Sequence, residues 1–253
     1  MKLKQKSAAF RFYEELNDFL PKTKKKKMFE YPFWGHPAIK DAIEAIGVPH
    51  PEIDLILVNG ISVTFDYHLQ DGDRISVYPV FEGLDITPVI KLRPQPLRRI
   101  KFVLDVHLGK LARMLRMLGF DTLYSKDYSD EEIRTISHAQ RRIIITRDQD
   151  LLKAKKVSHG YWIRSIQPGE QTVEILQRFD LKHLVKPFTR CLDCNGVIEK
   201  VDPEEIDAQV PAHAKTCYHE FFHCAMCKKI YWQGSHYQKM TDKIARIISD
   251  ETG

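Results

Sequence analysis

No stretch of this 253-residue chain stays apolar for the roughly 18–20 residues that a membrane-crossing helix needs, so no membrane partner is expected. The N-terminus carries lysines, but Arg11, Glu14 and Glu15 interrupt any secretory signal core. A cytoplasmic protein is therefore expected. Cysteine is scarce and odd in number, five in all, which argues against a complete disulfide framework. The chain is not short of apolar residues either: 43% hydrophobic with a net charge of +5 excludes wholesale disorder. It has no internal repeat. Its length suits one large domain or two to three small ones, at roughly 100–200 residues each.

The charge is uneven. Residues 1–90 hold 11 basic and 13 acidic residues, net −2, and residues 91–253 hold 28 and 21, net +7. Residues 91–116 alone have eight Lys or Arg against one acid, Asp105. A basic region attracts polyanions, because phosphate contacts give affinity independent of base sequence. The same balance also serves solubility, so it tilts toward nucleic acid without deciding for it.

Hydrophobic patterning divides the chain into three segments. In the first, strands are predicted over 8–13 and 28–34, a helix over 37–47, and strands over 53–58, 61–65 and 74–80. Asn59-Gly60 between two of these strands is a strong hairpin signal. The turn Val58-Asn59-Gly60, the run Leu69-Gln70-Asp71-Gly72-Asp73 and the strand Ser76-Val77-Tyr78-Pro79-Val80 resemble the ubiquitin-like β-grasp fold of the sulfur-carrier proteins. Those carriers end in a free Gly-Gly, whereas here Phe81-Glu82-Gly83-Leu84 leads onward. Sulfur transfer is thereby disfavoured, and residues 1–84 read as a docking or regulatory module with a protein partner. Pro88, Pro94 and Pro96 make residues 85–97 a linker.

In the second segment, residues 98–185, strands are predicted over 100–104, 120–124, 142–145 and 161–163. They alternate with helices over 108–118 and 130–140, from residue 149, and over 168–179. Alternating strand and helix implies α/β architecture around a parallel sheet. The consecutive Ile143, Ile144 and Ile145 suit a strand buried on both faces. Ligands of such sheets bind beyond the carboxyl ends of the strands. Asp105 follows the first strand directly and Asp148 follows the third, so both carboxylates are placed at one rim. Asp130 opens the helix between them, and Asp150 lies two residues past Asp148. Clustered carboxylates repel unless a hard cation offsets them, which suits magnesium or manganese at Asp105 and Asp148. Each acid also has an ordinary structural role open to it. Ser129 and Glu132 can form a capping box around Asp130, Asp148 can cap the helix at Gln149, and Asp105 can serve a turn.

The wording of this segment adds a resemblance. Phe102-Val103-Leu104-Asp105, Leu108-Gly109-Lys110-Leu111-Ala112-Arg113 and Leu115-Arg116-Met117-Leu118-Gly119-Phe120-Asp121 are similar to the Mut-seven C-terminal RNase family. So are Ser129-Asp130-Glu131-Glu132-Ile133 and Ile145-Thr146-Arg147-Asp148-Gln149-Asp150-Leu151, and the likeness covers residues 98–240. It implies a PIN-like nuclease domain with a zinc-ribbon tail, behind a ubiquitin-like domain. It also implies metal-dependent endoribonuclease activity, with Asp105, Asp130, Asp148 and Asp150 as catalytic acids. The PIN pattern usually adds a helix glutamate, and none lies between Asp105 and Asp130. That departure supports the alternative of a catalytically weak RNA-binding adaptor. Lys110, Arg113 and Arg147 lie beside the acids and suit RNA phosphates. Arg116 alone reads as part of a solvated helix face.

The third segment, residues 186–253, holds every cysteine and ends in a predicted helix over 237–249. Cys191-Leu192-Asp193-Cys194 and Cys224-Ala225-Met226-Cys227 are two CxxC knuckles, which together suit one tetrahedral structural zinc. The same thiolates also suit an iron–sulfur centre, and His223 could replace one cysteine. Cys217 reads as a packed thiol. Gly196 and Lys228-Lys229 suit the tight knuckle turns.

Overall fold

The structure, a computed structural model, describes residues 5–79, 100–154 and 157–249. The proposed linker over residues 85–97 lies outside them. The chain forms two compact units, one of residues 1–99 and 134–162 and the other of residues 100–133 and 163–253.

The first unit begins with β1 (Lys6–Phe12), β2 (Phe29–Phe33), α1 (Ile39–Ile46), β3 (Ile53–Val58), β4 (Ile61–Ser62) and β5 (Arg74–Pro79). The five strands form one mixed sheet in the order β2-β1-β5-β3-β4. β1 runs antiparallel to β2 and parallel to β5, the ubiquitin-like arrangement. Period-two alternation on β1 turns Ala8, Phe10 and Phe12 inward, where they join Ile39, Ile43, Ile53, Ile56, Ile75 and Val77 in one buried core. Asn59 and Gly60 both have positive φ (51° and 84°), as a two-residue hairpin turn demands. β4 stops at Ser62, short of the predicted 61–65, because beyond it Phe65 and Tyr67 turn their backbone carbonyls to α1. Asp73 ties this turn region together. Its buried carboxylate accepts from the Asn59 amide, the Tyr67 hydroxyl and the Gln70 backbone N–H, which satisfies it away from water.

Next come β6 (Phe102–Leu104), α2 (Gly109–Met117), β7 (Thr122–Leu123), α3 (Asp130–Gln140), β8 (Ile143–Thr146), α4 (Gln149–Lys153), β9 (Gly160–Trp162) and α5 (Pro168–Arg178). Their four strands make a sheet in the order β7-β6-β8-β9, with β6 parallel to β7 and β8 parallel to β9. All four residues of β8 are buried, as the isoleucine run requires. The chain closes with β10 (Ile198–Val201), α6 (Ala212–Cys217), β11 (Phe221–Cys224), β12 (Ile230–Trp232) and α7 (Ser235–Ser249). β10, β11 and β12 form an antiparallel sheet with its own small core of Val201, Ile206, Val210, Ala214 and Phe221. Among the described residues no helix is long and apolar enough to cross a membrane.

Candidate metal centre and acidic positions

The two CxxC segments fold as copies of one another. In each, the backbone N–H four residues after the first cysteine donates to that cysteine's carbonyl: Asn195 to Cys191 and Lys228 to Cys224, both 3.0 Å. In each, the first cysteine's N–H donates five residues on, Cys191 to Gly196 at 2.8 Å and Cys224 to Lys229 at 2.9 Å. The left-handed residue that closes the turn is Asn195 (φ 70°) in one and Lys228 (φ 61°) in the other. Gly196 is thus needed for space: a Cβ there would stand 2.6 Å from the Cys224 sulfur.

This geometry brings the Sγ atoms of Cys191, Cys194, Cys224 and Cys227 within 4.8 Å of one another. Cys191 and Cys227 are 3.6 Å apart and Cys194 and Cys224 3.3 Å. A tetrahedral ion about 2.3 Å from each sulfur would set them about 3.8 Å apart, so the cluster can hold one metal ion with little movement. Among the described residues it is the one group of three or more such side chains close enough to share an ion. Cys217 sits exposed on α6 and His223 pairs within β11; neither belongs to the group.

Two residues that sequence reasoning did not single out support the cluster, Tyr231 by tuning a thiol and Asn195 by anchoring a knuckle. Burial pushes the Cys191 thiol up, but hydrogen bonds from the Tyr231 hydroxyl (3.0 Å) and from the N–H groups of Cys194 and Asp193 bring it down to about 6. Cys194 is pushed up to about 12, by burial and then by its thiol neighbours Cys224, Cys227 and Cys191, against a backbone bond from Gly196 that lowers it. Crowded sulfurs cannot all ionise unaided, and a cation removes that conflict. Asn195 is the second. Its side-chain oxygen accepts from the Thr122 N–H (2.9 Å) and its amide donates to Asp121 (2.8 Å), tying the knuckle to β7.

Arg116 departs from the solvated role expected of it. It is 3% exposed. Its Nε donates to the Thr122 carbonyl (2.9 Å), and one terminal nitrogen donates to the carbonyls of Leu192 (3.1 Å) and Asp193 (2.8 Å). Burial lowers its pKa, while the negative charge of Cys191 and Cys194 opposes the shift. A helix-face pattern cannot reveal this, because the groups that bury Arg116 arrive some 76 residues later in the chain.

The acids take individual places. Asp105 follows β6 at 7% exposure and heads a short 3-10 turn without capping it through its side chain. Asp130 is exposed at the start of α3, where the Ser129 and Glu132 capping box forms: Glu132 accepts from Ser129 N–H at 2.8 Å and Ser129 Oγ accepts from Glu132 N–H at 3.3 Å. Asp148 is the N-cap of α4 and accepts from the Asp150 N–H at 2.8 Å. Asp150 pairs with Lys153 at 3.0 Å. Of the basic candidates, Lys110 and Arg147 are exposed, and Arg113 is exposed but paired with Asp193 at 3.2 Å.

The family model described as Mut7-C RNAse domain matches residues 100–244, and the one described as Mut7-C ubiquitin matches residues 5–85. No curated protein and no solved structure matches the chain.

Proposed function

Because this chain belongs to the Mut7-C RNAse domain family and carries a Mut7-C ubiquitin segment ahead of that domain, we propose that it is a metal-dependent endoribonuclease acting on RNA phosphodiesters. The observation that carries this reading is the match over residues 100–244, which spans both Asp105 and Asp148. In support, Asp105 directly follows β6 and Asp148 lies two residues beyond β8, the strand ends where parallel sheets bind ligands. Their oxygens suit magnesium or manganese, and Asp105 is a largely buried carboxylate that a cation would stabilise. Such an ion, when bound, offsets charge at phosphorus and acidifies a water. Asp105 and Asp148 would hold it, Asp130 and Asp150 would add negative charge, and Lys110, Arg113 and Arg147 would bind phosphates of the RNA. The cysteine cluster holds a structural zinc: four thiolates fill a tetrahedral ion and leave no position for water. Thiols kept reduced suit a cytoplasmic setting.

The test is cleavage of RNA with added magnesium or manganese. Asp105→Asn and Asp148→Asn should each reduce the rate about a hundredfold or more. Thermal stability should hold, since asparagine caps a helix as well as aspartate does. Cleavage at the wild-type rate by both variants would sink the reading. A second reading, a weakly catalytic RNA-binding adaptor, is favoured by one observation: Asp148 already has structural work as the cap of α4. Tight RNA binding without metal-stimulated cleavage in the unmutated protein would select it.

A further inference from the structure

Trp162 makes three contacts that converge on one turn. Its backbone N–H donates to Oε1 of Glu52 at 2.5 Å. Its indole ring lies 5.1 Å from the ring of Phe19. Its indole N–H donates to the carbonyl of Arg147 at 3.0 Å. Arg147 is the single residue between the end of β8 and Asp148. Glu52 and Phe19 both come from the ubiquitin-like part, residues 5–79.

These partners are firmly placed. Glu52 is fully buried, and a buried carboxylate is tolerated only where it is hydrogen-bonded. Phe19 packs against the ubiquitin-like core. A neighbouring contact holds the chain three residues before β9: the buried His50 ring faces Glu44 through Nδ1 at 2.6 Å and the Val157 carbonyl through Nε2 at 2.5 Å. Gly160 makes room for α4, since a Cβ there would lie 2.5 Å from the Leu152 side chain. β9 is the last strand of its sheet, so the 3-10 turn His50–Glu52 covers backbone that would otherwise be an open edge.

We infer that the ubiquitin-like part holds the Arg147–Asp148 turn in place through Trp162, which makes Trp162, Phe19 and Glu52 positioning residues for Asp148. Glu52 holds the Trp162 backbone, Phe19 packs on the indole, and the indole holds the Arg147 carbonyl. Asp148 follows directly, its N–H donating to Thr146 Oγ1 and its side chain accepting from the Asp150 N–H, both at 2.8 Å. The catalytic consequence rests on the role proposed above for Asp148. Displacement of a reacting group by a fraction of its contact distance is costly to rate.

Hydrogen–deuterium exchange of the full-length chain tests the coupling without reference to activity. The variants are Trp162→Phe, which keeps a ring but loses the indole N–H, and Phe19→Ala, which removes the ring opposite. In both, the peptide over residues 146–152 should exchange about fivefold faster, the effect of one lost hydrogen bond. RNA cleavage should fall about fivefold or more in kcat at unchanged KM in both, with the melting temperature of Trp162→Phe within about 2 °C of wild type, while Phe19→Ala also lowers it through the lost core packing. Phe19→Tyr should restore both values. Unchanged exchange over residues 146–152 overturns the inference. So does acceleration spread evenly along the chain, or faster local exchange with wild-type kcat. If Asp148→Asn cleaves like wild type, the role of Asp148 fails, and the exchange data still decide whether Trp162 couples the two parts.

Discussion

Arg116 joins three carbonyls from two places in the sequence, and that single cation does what no apolar residue could. The Thr122 carbonyl belongs to β7, and the Leu192 and Asp193 carbonyls belong to the first cysteine knuckle. A planar guanidinium can serve diverging acceptors at once, and it stays charged when buried. Arg116→Met keeps the volume but strands those carbonyls. It should cost about 3 kcal/mol of stability and loosen the metal. Arg116→Lys should recover only part of the loss, because one ammonium cannot span β7 and the knuckle. Thermal melts and zinc retention against a chelator measure both effects. A wild-type melting temperature in Arg116→Met would remove the linking role.

At the scale of elements, the legible parts of the sequence were those specified locally. The helix over 130–140 was readable because Ser129 and Glu132 form the capping box that their spacing announces. The pairing of the four cysteines was readable because two CxxC knuckles have few other uses. What was not legible depends on distant partners. The strands of the antiparallel sheet, β10 to β12, carry no clean alternation, since each packs on one small core beside the knuckles. The chain segments that cover Trp162 lie some 110 residues before it. The α3 cap gives a prediction with a pH sign. Glu132 is held below the usual glutamate range, first by the Ser129 N–H and then by its hydroxyl. Its contribution is therefore present above the ordinary glutamate pKa of about 4.3 and is lost as pH falls through the lowered value. Ser129→Ala should cost about 1 kcal/mol at neutral pH, and the gap to wild type should narrow under acid. A gap that stays constant or widens on acidification would show that Glu132 takes no part.

Zinc belongs to the same scale. Purified without chelator, the protein should carry one zinc per chain, and Cys194→Ser should lose it while Cys217→Ser should not. Metal binding and ribbon folding are coupled, with apparent energies of about 10–16 kcal/mol in small zinc domains. The ribbon should therefore unfold locally in Cys194→Ser. Elemental analysis decides the metal: stoichiometric iron, or zinc lost from Cys217→Ser, would overturn the ligand assignment.

At the scale of the whole molecule, the question is which parts stand alone. The ubiquitin-like part closes its own core, for every buried member of that cluster lies between Ala8 and Val77. Its sheet needs no strand from elsewhere. Residues 1–84 expressed alone should therefore fold, with a cooperative thermal transition and a monomeric elution volume. The reciprocal fragment is worse placed. Without residues 1–84, the Trp162 N–H and the Val157 carbonyl lose Glu52 and His50, and β9 becomes an open edge. Open edges pair with other chains. Residues 98–253 should keep their zinc, which depends on residues 191–227, yet self-associate in a concentration-dependent way. Adding purified residues 1–84 should reverse that association. The measurement is size-exclusion chromatography with light scattering at several concentrations. A 98–253 fragment that stays monomeric throughout, with exchange over residues 157–162 like that of the full chain, would show that this edge needs no cover and that the two parts are independent.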